Sequence, residues 1–332
     1  MISFNRRNAL SRTLLTKPDH FSPIIDDAVA RISSDNTSGA AEILSRTGEV
    51  FSLLAKHRSE FGILDLERAY QVIFETCLKI SKAQPDMSAL IRLSSEALSA
   101  VRNATTAEES LKFATEAASN FIENAGRAYR TAALHAAALI SEQATLLTHS
   151  RSSTVLNALL EAKRAGRSFD VVATESRPML EGRSLATSLS SKDISVTLIA
   201  DSAAAFAMSN VDFVMLGADK LTASYVINKI GTRMIALAAR EQDLPVYALC
   251  DTSKFIREDY LVGTAREINS PDELWDDPPA GVKPENRYFE PTPIEYFTGI
   301  VTEEGLLSAD DARRRAEGTA IDRDLVDRLL TC

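Results

Sequence analysis

Cysteine is scarce in this chain of 332 residues: the three are Cys77, Cys250 and Cys332, far apart and in no metal-ligating spacing. That excludes a disulfide framework or a cysteine-rich metal site and suits a reducing compartment. His149 has no second histidine within metal-binding spacing, so no metal is assigned. Long apolar runs are missing too. The longest, around TAALHAAALI, falls far short of the ~20 residues that cross a bilayer. The start, MISFNRRNALSRTLL, lacks the apolar stretch and small-residue cleavage site of a secretory signal. A cytoplasmic protein without a membrane partner is expected. No cluster of Lys and Arg offsets the formal net charge of −9, which argues against nucleic acid as a partner, because phosphate backbones draw on concentrated positive charge. No G-x-G-x-x-G follows a strand and no G-x-x-x-x-G-K-S/T occurs, so neither a dinucleotide cofactor nor the common nucleotide triphosphatase reading has support, and no cofactor is expected. Glycine is low as well, 13 of 332, against 45% hydrophobic and 25% charged residues, as in a helix-rich globular protein.

What is present begins with helical periodicity. From Pro23 to about Ile140 only helical signals occur; ERAYQVIFETCLKI places Ala69, Val72, Ile73, Cys77 and Ile80 on one face at steps of three or four. DNTSGAAEIL (35–44), QPDMSAL (84–90) and NATTAEESL (103–111) supply Asn, Ser or Asp caps before new helices. After residue 145 short β-rich runs, TLLTH, FDVVATES, VTLIA, FVMLGAD and VYALCD, alternate with helical stretches that follow Ser153, Arg183, Ser202 and Gly231. This alternation predicts βαβ units, hence an α/β fold: an N-terminal helical bundle (1–125) followed by a Rossmann-like domain with a mainly parallel sheet (126–332).

Ligands of such sheets bind beyond the carboxyl ends of the strands. Five loops should converge there. The first brings Thr148, His149, Ser150, Arg151, Ser152 and Ser153; the second, TESRPMLEGR, brings Glu175, Arg177 and Arg183; the third brings Asp201 and Ser202. The fourth carries Asp219, Lys220, Asn228, Lys229 and Thr232, and the fifth Asp251, Ser253 and Lys254. Hydroxyls at helix starts, with Arg and Lys alongside, favour a phosphate, although a Ser or Thr there also serves simply as a cap. Asp219, at the end of an apolar strand, suits either proton transfer or a turn that bonds its own backbone. Lys229 suits either a substrate oxygen or solvent, and His149 either a ligand or a structural hydrogen bond.

In order and spacing, THSRSSTVL, TESRPMLEGRSLA, ADSAAAFAM, GADKL…INKIGT and NRYFEPTPIEYFTGIVTEEG resemble one family. It joins the alpha, beta and delta regulatory subunits of translation initiation factor 2B with methylthioribose-1-phosphate isomerase and ribose-1,5-bisphosphate isomerase. The resemblance covers roughly 105–320, more loosely the helices before it. It implies a helical domain joined to a Rossmann-like one, homo-oligomers (dimer or hexamer) built through the latter, and a site for a sugar phosphate at the strand ends. In the isomerases a Cys of a THC loop and the Asp of GAD handle protons, and an Asn-Lys pair binds substrate. Here Asp219 stands for that Asp, and Asn228 and Lys229 for that pair, but Ser150 replaces the Cys. A thiol titrates near 8.5, whereas a hydroxyl seldom gives up its proton without a strong base beside it. Two further departures are the Gly-less LTASYVI after Asp219, and TSGAAE (37–42), where the isomerases place an Arg-Gly turn and Arg46 is the nearest Arg.

Two functions follow. One is a subunit-like protein that holds a phosphorylated sugar or nucleotide through His149, Ser152, Ser153, Arg177, Arg183, Asn228 and Lys229 and uses it to bias assembly or a protein partner. The alternative is a cofactor-independent aldose–ketose isomerase of a sugar 1-phosphate, with Asp219 and Ser150 as its catalytic residues.

Overall fold

The computed structural model describes residues 23–35, 39–260 and 268–331. The chain divides into two compact units, Met1–Asn124 with Ala320–Cys332, and Ala125–Thr319. Residues 320–332, which the sequence reading carried with the second domain, thus cluster with the helices.

The first unit contains α1 (Pro23–Ser33), α2 (Ala40–Lys56), α3 (Leu66–Ala83), α4 (Ser88–Val101) and the first half of α5 (Ala107–Ala138). The α3 face read from the sequence is the buried one: Ala69, Val72, Ile73, Cys77 and Ile80 are at most 3% exposed. Asp65 starts α3 by accepting the Arg68 N–H at 2.8 Å. At the start of α5 the caps are reciprocal: Thr106 accepts the Glu109 N–H at 3.1 Å, and Glu109 accepts the Thr105 N–H at 2.8 Å. The expected Asn, Ser or Asp caps of α2 and α4 are instead Gly39 and Met87, without a side-chain bond. Ser88 misses the role because it lies inside the helix as its first residue; 36–38 lie outside the described residues. Arg46 is held by Asp35 and Glu42.

The second unit alternates as the sequence implies: β1 (Thr145–His149), α6 (Ser153–Arg164), β2 (Asp170–Thr174), α7 (Glu181–Ser190), β3 (Ser195–Ile199), α8 (Ala204–Ala207), β4 (Phe213–Gly217). Then come β5 (Lys220–Leu221), β6 (Tyr225–Lys229), α9 (Thr232–Glu241), β7 (Val246–Leu249), β8 (Phe289–Pro293), β9 (Gly299–Thr302), β10 (Gly305–Leu307) and α10 (Ala309–Glu317). A last helix, α11 (Arg323–Leu330), belongs to the first unit, where Asp322 at its start bonds Ser95 and pairs with Arg102.

The main sheet has the order β10-β9-β7-β4-β1-β2-β3. All neighbours are parallel except β10 on β9. Each face buries its own core. Leu147, Val214, Leu216, Ala248 and Ile300 pack on one side with Ile235 and Ala236 of α9; Leu146, Val171, Ala173, Met215 and Leu249 pack on the other with Val155 and Leu159 of α6. Burial on both faces is what the apolar strand sequences require. Among the described residues no helix is long and apolar enough to cross a membrane.

In a second, antiparallel sheet, β5-β6-β8, the strands β5 and β6 fall in the stretch expected to form the fourth strand-end loop. Its signal is weak because β5 has two residues and β8, FEPTP, carries two prolines, which ordinarily argue against a strand. It presents Asn228 and Lys229 at the end of β6, paired in register with Glu290 and Phe289.

Candidate functional site

Strand β1 lies between β4 and β2, so the chain runs outward in both directions from its end, the switch point at which open parallel sheets bind ligands. Three non-glycine residues near the ends of β1 and β2 adopt left-handed backbone: Ser150 (φ 65°), Ser176 (φ 64°) and Leu180 (φ 59°). Such conformations are sparse and persist where surrounding bonds impose them. Here the Ser150 N–H donates to Ser176 Oγ at 2.7 Å, and the N–H groups of Ser176 and Arg177 each donate to one oxygen of Asp201 at 2.7 Å. One carboxylate after β3 therefore fixes the loop after β2, which fixes Ser150.

His149 is 1% exposed, and both ring nitrogens serve the fold. Nε2 faces the Ile230 carbonyl at 2.7 Å and Nδ1 faces Thr174 Oγ1 at 2.6 Å. A carbonyl only accepts, so Nε2 carries the hydrogen and the neutral ring takes the Thr174 hydroxyl proton at Nδ1. Burial holds the imidazole below the usual histidine range, outweighing the Ile230 carbonyl and the Asp201 carboxylate, which favour the charged form. Gly231 (φ 105°) lets the chain pass over this ring: a Cβ there would meet His149 Nε2 at 3.0 Å.

The loop into α6 reaches β4 and β6. Ser152 caps α6 through the Val155 N–H, and the Ser153 carbonyl accepts the Tyr129 hydroxyl at 2.9 Å. A Cβ at Gly217 would lie 2.6 Å from Ser152 Cβ and 3.5 Å from Asn228 Oδ1, so these three residues meet at the sheet end. Buried Asn228 donates to Thr232 Oγ1 at 2.9 Å, and the Asp219 N–H donates to the Ile227 carbonyl at 2.9 Å, setting half-buried Asp219 beside Asn228. Lys254 donates to the Ala218 carbonyl at 2.6 Å. The Cys250 thiol is pushed up by burial; Lys254 opposes this, while Asp251, Glu303 and Asp219 add to it, so these charges also gather at the end of β7.

Cations and helix starts here already face carboxylates of the chain. Lys229, 5% exposed in its side chain, donates to Glu181 Oε1 at 2.7 Å and lies over the Tyr288 ring, 4.9 Å from its centroid. Tyr288 donates to Glu273 at 2.5 Å; burial and then that carboxylate raise its pKa. The N–H groups of Gly231 and Arg233 at the start of α9 donate to Glu290 Oε1 at 2.7 and 3.0 Å. Arg183, 58% exposed, pairs with Glu175 at 2.8 Å, and Arg177 donates to the Leu274 carbonyl at 3.3 Å. The first turn of α6 differs: it contains no acidic residue.

Of the residues singled out in the sequence, Ser150, Ser152, Asn228, Lys229 and Asp219 are thus drawn to the ends of β1, β4 and β6. His149 lies beneath them as a buried strut, and Arg177 and Arg183 turn to partners of their own. Glu181, Ser176, Tyr288 and Glu290 were not singled out. Glu181 and Ser176 stand inside TESRPMLEGR, and Tyr288 and Glu290 inside NRYFEPTP, but nothing in a one-dimensional reading pairs residue 181 with 229 or 290 with 231. The segment 269–279 is tied down by the Asn269–Asn286 bridge and by Asn286 and Tyr288 donating to Glu273, while Trp275 stays half exposed.

Residues 36–309 match the Initiation factor 2 subunit family. A ribose 1,5-bisphosphate isomerase of Methanocaldococcus jannaschii is 36% identical over 202 residues, 59% of this chain and 65% of the relative, so the chain spans just under two thirds of that protein's length. A Pyrococcus furiosus protein described as translation initiation factor eIF-2B subunit 2-like is 30% identical over 283 residues, 83% of this chain and 93% of that protein. The crystal structure of translation initiation factor eIF-2B from Pyrococcus horikoshii OT3 has a TM-score of 0.73 at 27% identity, covering 86% of this chain and 98% of that one. For 5-methylthioribose 1-phosphate isomerase from the same organism the TM-score is 0.66 at 23% identity, a likeness of fold alone.

Proposed function

The chain belongs to the Initiation factor 2 subunit family, and on that premise we propose that it binds a phosphorylated sugar or nucleotide at the ends of β1, β4 and β6 in a regulatory or assembly role. In this reading Ser150, Ser152 and Ser153 with the first turn of α6 receive the phosphate, and Asn228, Lys229 and Asp219 meet the rest of the ligand. Arg177 and Arg183 stand at the rim, and His149 supports the floor. The protein acts as a homo-oligomer, dimer or hexamer, or with a protein partner.

The observation that carries binding over catalysis is the state of Ser150. The nearest imidazole, His149, spends both nitrogens on Thr174 and Ile230, and burial keeps it from the charged form. A hydroxyl without a base beside it is a poor proton donor or nucleophile. A second reading, isomerisation of an aldose 1-phosphate, is supported by Asp219 standing beside Asn228 and by relatives named ribose 1,5-bisphosphate isomerase and methylthioribose-1-phosphate isomerase.

Thermal shift with a panel of sugar phosphates and nucleotides tests binding, since a ligand of the native state raises Tm by mass action. Incubation with ribose 1,5-bisphosphate or methylthioribose 1-phosphate in heavy water, following deuterium at C2 and ketose formation, divides the two readings. A Tm rise without turnover supports the binding role. Turnover abolished by Asp219→Asn replaces it with the isomerase, and no shift with any ligand rejects both.

A further inference from the structure

The Lys229–Glu181 pair is built unlike a plain anion hook. The ammonium is buried, one proton is given to Glu181 Oε1, and the Tyr288 ring closes another side. The second oxygen, Glu181 Oε2, is buried and accepts no hydrogen bond in the fold. Tyr288 does not supply one, because its hydroxyl is given to Glu273. A buried carboxylate oxygen calls for a donor, and an ammonium with protons to spare calls for an acceptor. A hydroxyl group is both. A phosphate dianion offers acceptors only, and at this distance from Lys229 its oxygens would face the Glu181 carboxylate with little water between them, a like-charge contact.

We propose that Glu181 is the specificity-determining residue of the site: with Lys229 it receives a sugar hydroxyl, donated to Oε2 and accepting from Nζ, and it excludes a phosphate from this end. The ligand's phosphate is confined to the start of α6, where the first turn carries no acid, whereas α7 begins with Glu181 and the first amides of α9 hold Glu290. The site therefore selects a pentose phosphorylated at one end and free at the other. This rests on the sugar-phosphate reading above.

Calorimetric titration of the full chain with ribose 1-phosphate and with ribose 1,5-bisphosphate tests it. Wild type is expected to bind the monophosphate at least tenfold more tightly. Glu181→Gln keeps the shape and an acceptor but removes the charge, and is expected to bring the two affinities within about threefold by tightening the bisphosphate; Glu181→Ala, the second variant, shifts the ratio in the same direction. Wild type preferring the bisphosphate overturns the proposal without any variant. So does an unchanged ratio in both variants, each shown folded by its melting curve. Both sugars binding wild type without discrimination also overturns the proposal but leaves the sugar-phosphate reading standing, whereas if neither sugar binds wild type that reading itself fails.

Discussion

Nε2 of His149 donates to the main-chain carbonyl of Ile230 across 2.7 Å, joining the end of β1 to the residue that follows Lys229. The bond requires a hydrogen on Nε2, and the buried ring is held neutral with its pKa below the usual range. The unfolded chain, with an ordinary histidine near 6.5, then binds more protons than the folded one, so stability rises with pH through this window and is lost as pH falls below about 6.5. Urea unfolding between pH 7.5 and 5.5 is expected to show this loss in wild type and a shallower slope in His149→Asn. Equal slopes would remove His149 as the buried neutral group.

Gly217→Ala places a methyl group 2.6 Å from Ser152 Cβ. The expected cost is about 1–3 kcal/mol from overpacking, with loss of ligand-induced Tm shift. Because the clash is with one side chain, adding Ser152→Gly, a cap change worth only a few tenths of a kcal/mol, is expected to recover most of the stability. Failure to recover would place the strain elsewhere.

Asp201→Ala frees two main-chain N–H groups and, through Ser176, the backbone of Ser150. Hydrogen bonds to a carboxylate are worth more than neutral ones, and the expected loss is about 2–3 kcal/mol in denaturant unfolding. Asp201→Asn keeps an acceptor for one of the two and is expected to lose about half as much. Ligand binding should weaken in the same order, measured by titration with ribose 1-phosphate.

Ser150→Cys restores a group that titrates near 8.5 at the end of β1. Ketose formation from methylthioribose 1-phosphate, which carries one phosphate and is not expected to turn over in wild type, is expected to become measurable in this variant. An unchanged rate would take residue 150 out of the reacting region.

The helical first part and the parallel sheet were legible because their residues obey strong periodicities: the Ala69–Ile80 face of α3 repeats at three and four, and strands such as FVMLG are apolar throughout, as burial on both faces demands. The β5-β6-β8 sheet was not, since Pro291 and Pro293 mask β8 and two residues are too few to show a period. Within the site, Ser150, Asp219, Asn228 and Lys229 stood out by position at strand ends and by resemblance. The carboxylates that answer them did not. Glu181 lies 48 positions from Lys229 and Glu290 lies 59 from Gly231, and only the folded chain shows that cations and helix starts, which read as an open phosphate cradle, already face carboxylates of their own.

A crystal structure of the full chain grown with ribose 1-phosphate tests the central claim most directly. Sugar density at the ends of β1, β4 and β6 is expected, with the phosphate against the first turn of α6 and a hydroxyl between Lys229 Nζ and Glu181 Oε2. Density for the sugar at any other face of the sheet, or a phosphate seated on Lys229 with Glu181 turned away, would contradict it.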